Sequence, residues 1–89
     1  MLTKIPQPIE NYRLEALDDE LLLYHPAAEK IIYCNQTASL VWQLCDGQRS
    51  GQEIVALLQA AYPDTAEAIA ADVEATLRQF AEHGAIRLQ

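Results

Sequence analysis

Residues Cys34 to Ile54 read CNQTASLVWQLCDGQRSGQEI, and this stretch fixes how the second half of the chain is divided. Asn35 suits a helix N-cap, where a short polar side chain accepts from a backbone N–H that the first turn leaves unpaired. Ala38, Val41, Trp42 and Cys45 then recur at spacings of three and four, the stripe of a core-facing helix. The helix is predicted to run to about Cys45, with Gly47 at C′, where positive φ is tolerated. Ser50 and Glu53 form an S-x-x-E capping box that opens a second helix. Its predicted buried face is Ile54, Leu57, Leu58 and Ala61, and Pro63 ends it. Two short helices separated by a glycine are the seed of a helix-turn-helix, so the flanking sequence and its charge have to decide the use.

Downstream, Asp64 and Glu67 repeat the capping signal. Ile69, Val73, Leu77 and Phe80 keep helical spacing until Gly84 stops a longer third helix, and AIRL forms a short extended tail. Upstream, residues 1–11 hold Pro6 and Pro8 without periodicity and read as an extended arm, either packed on the domain or free of it. The domain proper is assigned to residues 12–89. From Tyr12 the sequence alternates, with Tyr12, Leu14 and Ala16 on one side and Arg13, Glu15 and Leu17 on the other, the period of a half-buried strand. Asp18 and Asp19 supply a turn. LLLY at 21–24 and KIIY at 30–33 are two further strands, broken by Pro26. The order is strand, strand, strand, helix, helix, helix, tail: an α+β domain with three helices packed on a three-stranded antiparallel sheet.

Composition narrows the function. The 89 residues carry 13 acidic and 6 basic side chains, a formal net charge of −7 that repels phosphate backbones and acidic membrane surfaces. A winged-helix DNA-binding regulator is the alternative that the helix order raises. Its recognition helix, however, would present Glu67, Asp72, Glu74 and Glu82 against Arg78 alone. The N-terminus lacks a signal-peptide core and the longest apolar runs fall far short of a bilayer span, so a cytoplasmic protein is expected, without membrane or nucleic-acid partners. Cys34 and Cys45 stand in no C-x-x-C pair and read as reduced thiols in or near the core. His25 and His83 lie far apart at element ends. No phosphate loop, nucleophile elbow or paired-carboxylate frame is present, so the expectation is a non-enzyme with no catalytic residue, metal or cofactor.

The strand at KIIYC is the unusual element. Lys30 and Ile32 point to one face and Ile31 and Tyr33 to the other, so large apolar groups remain after either face packs on the core. Edge strands of that kind invite pairing with another chain. A peptide could add here as a further strand. The alternatives are that the strand lies mid-sheet, or is covered by the arm or by a second copy. If Ile32 faces the incoming chain, Ile32→Asp is expected to weaken binding and leave the fold intact.

LLLYHP at 21–26, the Asn35 and Ala38 frame, CDGQRS at 45–50, IVALL at 54–58, and Asp72–Val73 with the later Leu77 and Gly84 together resemble the PqqD proteins, also called RiPP recognition elements, from about Leu21 to Leu88. CDG followed by RS is the most specific piece. The resemblance implies a winged-helix-like fold. It also implies a peptide chaperone that binds the leader of a ribosomally made precursor peptide and presents it to a radical S-adenosylmethionine (radical SAM) enzyme, as in pyrroloquinoline quinone (PQQ) biosynthesis. In relatives the leader lies as an extra strand in a groove shared with the third helix. Carried over, the binding residues are Lys30, Ile31, Ile32, Tyr33 and Cys34 with Asp72, Thr76 and Gln79 on the helix, and Val73 and Leu77 as the floor. Three positions depart from the family pattern. Cys34 stands where a leucine commonly precedes the asparagine, HPAAEK is longer than the usual proline-glutamate-glycine turn, and Ala85 replaces a tryptophan common in quinone-pathway members. The first two touch the binding strand, so a leader of different sequence is an alternative, and the third bears on the pathway, so a recognition domain for another modified peptide is an alternative too. A homodimer through the same edge is a further one.

Overall fold

The alternating apolar residues of the first half have to bury one face, and they do so by forming a meander. The computed structural model describes residues 2–17, 20–27 and 29–89, with the side chains of Leu17 and Glu20 excepted. The element order is β1 (Pro6–Pro8), β2 (Arg13–Leu17), β3 (Glu20–His25), β4 (Lys30–Cys34), α1 (Gln36–Leu44), α2 (Gly51–Ala61), a 3₁₀ turn (Pro63–Thr65), α3 (Ala66–Glu82) and β5 (Ile86–Leu88). Strands β2, β3 and β4 pair antiparallel in that order, with Leu14 opposite Leu23 and Leu23 opposite Ile32. This register stacks three apolar side chains on one face of the sheet, and they join Val41 of α1, Ile54 of α2 and Val73, Leu77 and Phe80 of α3 in one core. The turn expected at Asp18 and Asp19 lies outside the described residues.

Helix α1 starts as read, the Asn35 side chain accepting from Ala38 N at 2.8 Å. It ends one residue earlier than expected, and Gly47 is not its C′ residue. Asp46 instead folds the connection, its Oδ1 accepting from Gln48 N and Arg49 N, both at 2.9 Å. Those two bonds hold the Asp46 carboxyl below the usual carboxylate range, with a smaller contribution from the Arg49 guanidinium. Gly47, at φ +79°, is the residue that lets the chain turn inside this loop. The Ser50–Glu53 capping box of α2 is present in both directions.

The predicted face of α2 needs correcting. Gly51, Ile54, Val55 and Leu58 are buried, whereas Leu57 is 46% exposed and Ala61 is exposed. IVALL is apolar almost all round, so periodicity could not set the rotation of the helix about its axis. The start of α3 differs as well: Asp64 lies within the 3₁₀ turn, and Thr65 occupies the N-cap without a side-chain bond to the helix. Its hydroxyl donates to Tyr62 O at 3.4 Å instead. The C-terminus of α3 is a Schellman stop at Gly84, φ +76°, with Ala85 N donating to Phe80 O at 2.8 Å and Gly84 N to Ala81 O at 3.1 Å. Ala85 is buried directly against this turn, where a larger residue would need the core to open.

The arm is not free. β1 pairs antiparallel with β5 in a second, two-stranded sheet, which the sequence reading did not anticipate. Ile5 exchanges both backbone bonds with Gln89, and Ile9 N donates to Ala85 O. Pro6 and Pro8 occupy the positions between these donors, where a missing N–H on an edge strand costs nothing. Further back, the carbonyls of Lys4 and Leu2 accept from Gly51 N at 3.0 Å and Gln52 N at 2.8 Å, so the arm's backbone caps the first turn of α2.

A Cβ at Gly51 would sit 2.9 Å from Leu2 Cα. Gly51→Ala is therefore expected to lift the arm off α2, lose the two capping bonds and destabilise the domain by about 1–2 kcal/mol. Hydrogen exchange at the Gln52 amide and a thermal melt check this. Burial, with the Asp46 carboxylate adding to it, pushes the Cys45 thiol up from 9.0 to about 12. The folded state then holds a proton that the unfolded chain gives up. The corresponding stability is complete below pH 9 and is lost as pH rises toward 12. Denaturant titrations at neutral pH and at about pH 11 should show wild type losing more stability than Cys45→Ala over that interval.

Candidate functional site

Strand β4 is paired with β3 on one side only, and among the described residues no strand takes its other edge. The structure settles its faces. Ile32 and Cys34 turn inward, 2% and 8% exposed, while Ile31 and Tyr33 turn outward, 48% and 68% exposed. Outside, Tyr33 lies opposite Leu22 and Ile31 opposite Tyr24, an apolar pair of cross-strand pairs on the open face of the sheet. Lys30 is the one charge on the strand, and its Nζ reaches the carbonyl of His83 at 3.4 Å, at the negative end of the α3 dipole. Apart from that cation, the edge carries none of the usual blunting: no proline, no bulge and no inward charge.

Beside the end of this edge runs a groove of about 250 Å³ between the start of α1 and the flank of α3. Asn35, Thr37, Asp72, Ala75, Thr76 and Gln79 line it. The helix residues assigned from the sequence, Asp72, Thr76 and Gln79, are thus brought together on one wall. Their spacing follows from the burial of Ile69, Val73, Leu77 and Phe80, which fixes how α3 is rotated. Val73 and Leu77 are fully buried and sit inside the core beneath this wall, with no surface open to a ligand. Sequence reasoning missed Thr37 and Ala75. Ala75 lies three residues from Asp72 on the same helix face, and Thr37 stands in the first turn of α1, two residues past the N-cap Asn35.

The chemistry on offer is recognition. Burial pushes the Cys34 thiol above its ordinary range, against a smaller opposite effect from a hydrogen bond with the Leu23 backbone, so at neutral pH it is a neutral thiol that contacts Ile32 O at 3.6 Å. His25 packs edge-on against Tyr12 at 4.8 Å, and His83 Nδ1 lies 2.8 Å from Gln79 O. Among the described residues no three His, Cys, Asp or Glu side chains stand together as a metal set, and no helix is long and apolar enough to cross a membrane. What the site presents is a row of unpaired backbone N–H and C=O groups beside a mostly neutral, hydrogen-bonding wall.

The domain is thus of α+β class, with one edge of its three-stranded sheet open near a helical groove. The sequence profile described as Coenzyme PQQ synthesis protein D (PqqD) matches residues 20–86, and the chain belongs to the PqqD family. Among solved structures it is similar to TbiB1 in complex with the TbiA(beta) leader peptide, with a TM-score of 0.72 and 21% identity over 91% of this chain and 94% of that one. No curated protein gives a significant sequence match.

Because Ile32 is buried in the core, the expectation that Ile32→Asp spares the fold is replaced by its opposite. A carboxylate there has no partner and is expected to cost roughly 3–5 kcal/mol, enough to unfold much of a domain this size. Circular dichroism of Ile32→Asp beside Ile31→Asp, which stays folded, checks the assignment of the two faces.

Proposed function

We propose that this protein binds the leader portion of a ribosomally synthesised precursor peptide by strand addition to β4 and presents it to a modifying enzyme. The observation that carries the reading is the unpaired, unblunted edge of β4 lying beside the Asp72–Thr76–Gln79 wall of α3, in a chain of the PqqD family. The TbiB1 structure, solved with a leader peptide bound, supports it by likeness of fold. A radical SAM enzyme as the partner, and pyrroloquinoline quinone as the product, are the finer form of the proposal, with another modified peptide as the alternative. The protein acts by binding, in the cytoplasm where such precursors are made, and carries out no chemistry itself.

The energetics require side-chain anchors. Four or five backbone hydrogen bonds contribute about 0.5–1.5 kcal/mol each, and ordering an extended peptide offsets most of that. Apolar contact with the exposed Tyr33 and Ile31, and hydrogen bonds to the polar wall of the groove, supply the remainder. A DNA-reading use of the same helices is opposed by charge, since Arg78, the single basic residue of α3, is held by Glu74 at 3.1 Å.

Titrating ¹⁵N-labelled protein with the precursor encoded beside its gene is expected to shift the amides of residues 30–34 and of α3. Absence of shifts at high micromolar peptide rejects strand addition. Ala75 is exposed and lines the groove, so Ala75→Arg is expected to weaken binding at least tenfold with the melting temperature unchanged, measured by calorimetry and a thermal melt. Light scattering separates peptide binding from a homodimer formed through the same edge, which would show a concentration-dependent mass.

A further inference from the structure

Beyond the end of β4 a second cleft, of about 240 Å³, opens between α1, the end of α2 and the first half of α3. Its lining is mainly apolar, with Leu58 and Ile69 buried, Leu40 half-buried, and Tyr62 and Ala68 exposed, and Gln36, Thr37, Thr65 and Asp72 complete it. It shares Thr37 and Asp72 with the groove beside β4, so the two form one trough. Asp72, at the junction, is the one charged residue lining either part.

A peptide paired with β4 cannot continue as a strand, because the sheet edge ends where Asn35 turns the chain into α1. The wall of α3 does continue, from Gln79 to Ile69, about 15 Å at the helical rise. Building on the strand-addition reading, we propose that the bound peptide runs on along this trough. It places a basic or hydrogen-bonding residue against Asp72, and a large apolar side chain in the cleft between Leu40, Leu58 and Ile69. At about 3.3 Å per extended residue, the anchor lies roughly three to five residues from the segment paired with β4. Antiparallel addition matches the rest of the sheet and gives the better-aligned ladder, which puts the anchor on the N-terminal side of the paired segment. The recognised sequence is therefore bipartite: an apolar residue, a basic one, then a short β-forming run.

Panning a randomised 16-residue peptide display library on the immobilised chain tests this without knowledge of the natural precursor. Wild type is expected to enrich peptides with a Leu, Ile, Phe or Tyr three to five residues before a β-forming segment and a Lys or Arg between them. Ala68→Trp, which fills the cleft from its rim, is expected to bind the selected peptides roughly ten- to hundredfold more weakly, the value of one buried large side chain. Asp72→Lys is expected to remove the basic preference and leave the apolar one, a readout that stands if Ala68→Trp does not fold. Peptides that still compete at the β4 amides but show no preference outside the paired segment overturn the anchor and leave strand addition standing. Failure of wild type to enrich any peptide that shifts residues 30–34 overturns both.

Discussion

Helix α3 buries Ile69, Val73, Leu77 and Phe80, and that stripe permits only one rotation of the helix about its axis. With the stripe in the core, Asp72, Thr76 and Gln79 lie on the flank that meets Asn35 and Thr37 just past the end of β4, and Ala68 and Asp72 on the flank that meets Leu40 of α1. The groove and its extension are therefore by-products of core packing: a helix with a narrow apolar stripe leaves a polar shoulder wherever its neighbour stops short. The chain leaves β4 at Cys34 and enters α1 at Gln36, and the groove lies between this start of α1 and α3. Rotating α3 by one residue would bury Asp72 and expose Val73, at a cost of several kcal/mol, so the shoulder is as rigid as the core itself.

The CDGQRS segment shows how a recognisable motif can be structural throughout. Cys45 buries its thiol, Asp46 gathers two backbone donors and the Arg49 guanidinium at 3.2 Å, Gly47 supplies positive φ, and Ser50 caps α2. None of these residues lines the groove. The motif sets the angle between α1 and α2, and through α2 the position of the packing partner of α3. Its link to recognition is indirect and geometric.

Much of this was legible in the chain. Alternation marked β2, short apolar runs marked β3 and β4, Asn35 and Ser50 announced their helices, and the three-and-four spacing of α3 was long enough to give both its existence and its buried face. The phase of α2 was not legible, because Leu57 and Ala61 are as apolar as the Val55 that is buried in their place. The second sheet was hidden for a different reason: β1 is three residues long with two prolines, and only its distant partner β5 makes it a strand. At the site, the helix residues carried over from the resemblance, Asp72, Thr76 and Gln79, line one groove, while the orientation of β4 was open in the sequence, since Ile31 and Ile32 are chemically identical and only the register with Leu23 chooses between them.

The pairing of β1 with β5 brings Ile5 and Gln89 into a reciprocal hydrogen-bonded pair, so the first and last strands stand side by side. A module whose entry and exit points coincide can be spliced into a surface loop of a host protein, or have its ends joined and reopened elsewhere, with little loop-closure entropy. The architecture is suited to transplantation: the three-stranded sheet would travel intact as an insertion, tethered at one spot, with the edge of β4 left open.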